Sequence, residues 1–165
     1  NLMNRKYTKA RYLDLVRKIR KKCPRASITT DIIVGFPTET NKDFNDTVDV
    51  IKKVQFDSVF IFKYSPRNGT TAQKKYKDDV APQVKTERIV LLNEIQKAIS
   101  LKKNENLVGK TERILVEEEK GLNTFRGRTD TNKLVNFSCD HCATGQFVDV
   151  MISHASANGL SGRRA

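Results

Sequence analysis

The 165-residue chain has no apolar run near the roughly 20 residues that cross a bilayer, which argues against a membrane span. A secretion signal is missing too, because Leu2-Met3-Asn4-Arg5-Lys6 leads straight into a charged, helix-like stretch. No methionine opens the sequence, and its start reads as a cut. Cysteine is scarce: Cys23, Cys139 and Cys142 are too few and too uneven for a secreted disulfide framework, so a reducing cytoplasm is expected. Acid is scarce where base is dense. Residues 1–25 hold ten Lys and Arg against Asp14 alone, in a chain whose whole net charge is +12. That concentration is either an electrostatic footprint for phosphate, above all nucleic acid, or a solvated helix face.

What is present suits one or two small domains, with 38% hydrophobic and 30% charged residues. Two periodicities divide the chain near residue 106. Tyr12, Leu15, Val16, Ile19 and Cys23 form a helical stripe after a Thr8 cap and before Pro24, with Cys23 read as core. Ser27–Val34 reads as a parallel strand buried on both faces, broken by Gly35-Phe36-Pro37. Thr40-x-x-Asp43 resembles a capping box opening a second helix, whose core stripe is Phe44, Val48, Ile51 and Val54. Ser58–Phe62 is a second strand, ended by a turn at Ser65–Gly69. Pro82 begins a long helix to about Asn106, with Val84, Leu91, Leu92, Ile95 and Ile99 facing inward. Parallel βα units follow from this order, and two such strands cannot bury themselves. The half before Leu107 therefore reads as part of a larger sheet or barrel.

From Leu107 the pattern becomes short strands at Thr111–Glu117, Thr124–Arg128, Leu134–Phe137 and Gln146–Ile152, punctuated by glycine. That spacing predicts a small antiparallel, OB-like barrel. Cys139-Asp140-His141-Cys142 supplies two or three zinc-type ligands where a structural site wants four, so it is read as an exposed hairpin loop and no metal site is assigned.

The stretch Thr29-Thr30-Asp31-Ile32-Ile33-Val34-Gly35-Phe36-Pro37-Thr38-Glu39-Thr40 carries the strongest chemical pattern. A strand running into Gly35 delivers its carboxyl end to the mouth of a parallel barrel, where such folds bind ligands. Gly35 would let backbone approach a ligand, and Phe36 offers a face to a planar ring. The bland alternative is an ordinary strand–turn–helix, with Glu39 a favourable charge at a helix N-terminus, Tyr64 a core aromatic and Arg67 a solvated turn residue.

With Met3-Asn4-Arg5-Lys6-Tyr7-Thr8 upstream and Phe62-Lys63-Tyr64-Ser65-Pro66-Arg67-Asn68-Gly69-Thr70 downstream, this stretch resembles the radical-SAM methylthiotransferase family. Thr38 departs from it, since the family usually has glycine there. The later segment Gly127-Arg128-Thr129-Asp130-Thr131-Asn132-Lys133-Leu134-Val135-Asn136-Phe137 resembles the TRAM domain, an RNA-binding barrel, and is similar to the MiaB-type, tRNA-modifying branch. Gln146–Val150 and Gly159-Leu160-x-Gly162 are similar to its last strands.

The resemblance implies an α/β chain: the C-terminal part of a radical-SAM parallel β/α barrel (1–106), then a small all-β TRAM barrel (107–165). It implies an S-adenosylmethionine pocket lined by Asp31, Val34, Gly35, Phe36, Glu39, Phe62 and Tyr64. It further implies RNA contacts from Arg126, Arg128, Asn132 and Lys133, with Phe125 or Phe137 stacking on bases or filling the barrel, core being preferred for Phe137. The activity implied is methylthiolation of N6-isopentenyladenosine beside the tRNA anticodon, using S-adenosylmethionine and two 4Fe–4S clusters. None of the cluster cysteines is present, so no catalytic residue is assigned here. Implied partners are the anticodon stem-loop, the N-terminal region of the same protein and an electron donor, with no membrane. The alternatives are a non-catalytic RNA-binding module, or a relative acting on another tRNA adenosine or a ribosomal protein.

Overall fold

A computed structural model describes residues 2–165; Asn1 lies outside them. The chain forms two compact units, one ending at Gln96 and one running from Lys97 to Ala165. No helix is long and apolar enough to cross a membrane among the described residues.

In the first unit, α1 (Lys9–Lys22) starts at Thr8, whose hydroxyl accepts from Arg11 N–H as the sequence predicts. β1 (Thr29–Val34) leads to Thr40, where the capping box is complete: Thr40 accepts from Asp43 N–H and Asp43 accepts from Thr40 N–H. α2 (Asn41–Val54) follows and buries Phe44, Ile51 and Val54. β2 (Ser58–Lys63) pairs with β1 in parallel, setting Asp31 opposite Phe60 and Ile33 opposite Phe62. A short helix, α3 (Thr71–Lys75), precedes α4 (Pro82–Glu105), which runs through the division between units.

Several expected core positions lie elsewhere. β1 is not buried on both faces, because Asp31 and Ile33 are exposed on the side opposite Val34. Only Val16 of the α1 stripe is buried, while Leu15, Ile19 and Cys23 are exposed, since the described elements cover one flank of that stripe. On α4 the buried line is Lys85, Arg88, Leu92, Gln96 and Ile99, and Leu91 is exposed. The line is helical in period but largely polar, which hides it from a hydrophobic pattern.

The second unit is a closed barrel of β3 (Thr111–Gly121), β4 (Thr124–Thr129), β5 (Leu134–Ser138), β6 (Phe147–Ser156) and β7 (Gly159–Arg164). Its strand order is β3-β4-β5-β7-β6. The pairings are antiparallel except β5 with β7, which is parallel, so the wholly antiparallel expectation is corrected at the closure. Strict alternation sends Ile114, Val116, Phe125, Val135, Phe137, Val148, Val150 and Ile152 inward. Gly127 is there because a Cβ would strike the Leu115 carbonyl across the sheet. Cys139 continues the inward series of β5 and is buried, not on an exposed loop; it is joined to Cys142 in a disulfide.

Candidate functional site

The strand ends of β1 and β2 bring five of the seven expected pocket residues together. Val34 is fully buried and its carbonyl accepts from Tyr64 N–H at 2.8 Å, extending the parallel ladder. Gly35 takes φ +70°, a left-handed turn that glycine adopts without strain. Its N–H donates to Glu39 Oε2 at 2.6 Å. Phe36 then meets Tyr64 edge to face, with ring centroids 5.2 Å apart, and Tyr76 at 6.4 Å. Tyr64 Oη is buried without a hydrogen-bond partner among the described residues.

Two buried cations from α4 hold this turn. Arg88, 6% exposed, pairs with Glu39 Oε2 and donates to Asn41 Oδ1 at 3.1 Å. Lys85, 5% exposed, donates to Asp78 at 2.6 Å and 2.7 Å, and its Nζ lies 5.4 Å from the Tyr64 ring centroid. A Cβ on Gly35 would collide with the aliphatic stem of Lys85. Glycine at 35 is thus required by the lysine packed on it as well as by its φ. Glu39 is bound into an internal ion pair, so its carboxylate positions the Gly35 turn. Neither lysine nor arginine was legible as part of the site, because a charged residue on a helix reads as solvent-facing.

Asp31 and Phe62 are separate from that cluster. They occupy the bare face of the two-stranded sheet with Ile33 and Phe60. Phe60 and Phe62 are 57% and 53% exposed, an aromatic surface at the carboxyl half of parallel strands. Phe60 was missed, although its spacing of two from Phe62 puts both on one face. Thr38 also takes φ +70°, and its N–H donates to Asp79 at 2.8 Å. A β-branched residue is poorly suited to that backbone, which glycine adopts without strain.

On the barrel, Arg126 and Arg128 point outward from β4. Arg126 donates to Asn136 Oδ1 at 3.2 Å with Glu118 3.7 Å away, and Arg128 pairs with Glu117 at 3.2 Å. Asn132 takes φ +63° in the β4–β5 turn, and Arg128 donates to its side-chain oxygen at 3.2 Å. Lys133 reaches instead to Asn104 Oδ1 at 2.7 Å. Phe137 and Phe125 fill the barrel, stacked 6.0 Å apart, so neither is offered to a base. The basic N-terminal stretch is partly spent internally: Lys9 bridges Asp46 and Asp49 of α2, and Arg17 and Lys18 pair with Asp14. At the β5–β6 loop, Arg164 donates to the His141 carbonyl at 2.8 Å, beside the Cys139–Cys142 bridge. No group of three or more His, Cys, Asp or Glu stands in metal-binding array among the described residues.

Comparison with known proteins adds two findings. Residues 105–163 match the TRAM domain. Over 98% of its length the chain is 45% identical to a tRNA-2-methylthio-N(6)-dimethylallyladenosine synthase of Thermotoga petrophila, covering 37% of that protein. It is 48% identical, over 98% of its length, to the synthase of the same name from Bacillus licheniformis, covering 32% of it. The synthase from Clostridium botulinum is 47% identical over 97% of the chain, with 36% of its own length covered. The chain thus spans about a third of the length of the curated relatives it matches.

Proposed function

We propose, from the premise that the chain belongs to the tRNA methylthiotransferase family, that it supplies part of a cofactor pocket and an RNA-binding barrel to an enzyme. In this reading the whole enzyme adds a methylthio group to N6-isopentenyladenosine next to the tRNA anticodon, in the cytoplasm. The reading is supported by one observation above others: identity of 45% to 48% runs across both units of this chain, not the barrel alone.

Residues 1–106 are read as the end of a radical-SAM parallel barrel, and residues 107–165 as its TRAM domain. The bare sheet face supports that reading, because Ile33, Phe60 and Phe62 are too apolar to be left in water by a complete fold. S-adenosylmethionine fits the donor set. Phe60 and Phe62 would hold a planar ring, and Asp31 would accept from a hydroxyl or an ammonium group. Val34, Gly35, Phe36 and Tyr64 would form the floor, with the unpartnered Tyr64 Oη the buried polar atom nearest to needing one. Glu39 acts one step removed, through Gly35 N–H. When bound, the cofactor supplies the activated methyl group and the radical chemistry of the parent reaction.

The cysteines present do not fit a 4Fe–4S cluster. Cys139 and Cys142 are joined to each other, and Cys23 stands alone in the other unit. Both clusters and the electron donor therefore belong to the reading of the whole protein, and no step is assigned to residues here. The chain alone is expected to bind and not to turn over. Arg126, Arg128, Asn132 and Lys133 are its proposed contacts to the anticodon stem-loop.

The test is mass spectrometry of tRNA nucleosides from a strain lacking the full-length gene, complemented with wild type or with Asp31→Asn. Loss of methylthio-adenosine on deletion, recovery with wild type and poor recovery with the variant are expected. Unchanged methylthio-adenosine on deletion would rule out this substrate and favour another tRNA adenosine or a ribosomal protein.

A further inference from the structure

The barrel carries on its outside an aromatic side chain that its core does not use. Phe147 opens β6 with 53% of its surface exposed, and the guanidinium carbon of Arg113 on β3 lies 4.2 Å from its ring centroid. The register explains the pair. Phe147 stands opposite Leu115 and Asp149 opposite Arg113, so Arg113 and Phe147 are diagonal neighbours on the outward side. Val148 and Val150, between and beyond them, point into the core.

The same row continues across the sheet. Leu115 is opposite Arg128 on β4, and Arg128 is opposite Leu134 on β5. Arg128 is therefore two strands from Phe147, about 9–10 Å at ordinary strand spacing. On the other side, Met151 is exposed two pairs further along β6, opposite Arg163 of β7. Cations thus flank the aromatic pair on both sides of one continuous outer face.

Arg113 also differs from the arginines singled out by sequence. Arg126 and Arg128 face Glu118 and Glu117, so a phosphate must compete with a carboxylate for each. Arg113 has the Phe147 ring as its partner, and although Asp149 stands across the strands from it, the two make no ion pair among the described residues. A guanidinium lying over a ring presents flat surfaces of mixed cationic and aromatic character. Such surfaces suit a nucleobase, which is planar, polarisable and attached to a polyanion.

We propose that Phe147 and Arg113 form a stacking platform for an unpaired base of an RNA strand, with Arg163 placed to meet a phosphate on one side and Arg128, in exchange for its Glu117 partner, on the other. The proposal rests on the reading of the barrel as an RNA-binding module and adds where a base, as opposed to the backbone, is held. Stacking on an aromatic or a guanidinium plane is the usual way a single-stranded RNA is gripped without sequence readout.

The sequence contains no tryptophan, so Phe147→Trp creates a single reporter at the platform. A 12-nucleotide single-stranded RNA is titrated into the full 165-residue chain, by anisotropy of labelled RNA for every variant and by tryptophan emission for Phe147→Trp. Phe147→Leu should weaken binding about tenfold, while Phe147→Trp keeps wild-type affinity and is quenched saturably by RNA. Phe147→Leu should leave the salt dependence of binding unchanged, whereas Arg128→Gln should lower its slope by about 0.7. Circular dichroism at matched concentration checks that the barrel is intact in each. RNA binding by wild type that is unaltered by Phe147→Leu, or unquenched in Phe147→Trp, would overturn the platform and leave the RNA-binding reading standing. No RNA binding by wild type would remove both.

Discussion

The two units solve the same problem, covering a β-sheet, in opposite ways. The barrel joins β3-β4-β5-β7-β6 into a ring, so every strand has two neighbours and every inward side chain meets another. The β1-β2 sheet has two strands, two open edges and one bare face carrying Ile33, Phe60 and Phe62. Closure frees the barrel's outer face for charged and aromatic contacts, because stability is met inside. The open sheet has the reverse economy: its outer face is apolar and its buried turn is held by ions, Lys85 with Asp78 and Arg88 with Glu39. A sheet face left apolar by its own unit marks where further structure or ligand is expected.

The sharpest way to break this comparison is to change one phenylalanine in each unit. Phe137→Ala in the barrel removes a fully packed ring and should cost about 3–5 kcal/mol, enough to abolish the barrel's thermal transition. Phe62→Ser on the bare face should leave the melting temperature of the chain nearly unchanged and reduce its aggregation in light scattering. A large loss of stability from Phe62→Ser would mean that the face is already covered.

A smaller effect is expected at Thr38, whose φ of +70° suits glycine. Thr38→Gly should raise the stability of the first unit by about 1 kcal/mol in urea unfolding, since relief of the left-handed strain exceeds the added freedom of the unfolded chain. The Asp79 hydrogen bond uses the Thr38 backbone N–H and survives the change.

The smallest effect is on acid sensitivity. Hydrogen bonds from the Thr40 side chain and backbone hold the Asp43 carboxyl below its ordinary value. Asp46 and Asp49 are likewise lowered, chiefly by their bonds to Lys9. A carboxyl depressed in the folded state contributes stability above its unfolded pKa and loses it as pH falls through the folded one. The first unit should therefore weaken progressively below about pH 4, the usual carboxylate range. The barrel has Glu118 lowered in the same sense, through Lys120, and should weaken less over that range. Amide hydrogen exchange of the whole chain at stepped pH, read separately for α2 and for the barrel strands, checks the order.

How much of this was legible depends on the range of the forces involved. The Thr8 cap and the Thr40–Asp43 capping box were readable because both partners sit within one turn. Four of the five barrel strands were readable from alternation and glycine spacing, and β7 only through the resemblance of Gly159-Leu160-x-Gly162. The barrel's parallel β5–β7 closure was not, because pairing Val135 with Leu160 is a long-range choice that no local pattern records. In the candidate site, Gly35, Phe36 and Tyr64 converge as the sequence suggested, but the reason for Gly35 lies fifty residues away in Lys85. Lys85, Arg88 and Gln96 were invisible as buried residues, since a polar side chain goes inside only when its partner is known. Leu91 erred the other way, an apolar residue that helical phase turns outward. Cys139 was read as loop because a turn signal outweighed the two-residue period that carries it into the core.

The central claim is that one unit is self-sufficient and the other is not. Differential scanning calorimetry of two separate pieces, one ending at Gln96 and one running from Lys97 to Ala165, tests it directly. The account predicts a single cooperative transition for the barrel piece, and aggregation or a featureless trace for the piece bearing the bare sheet. A cooperative, reversible transition from that first piece alone would contradict it.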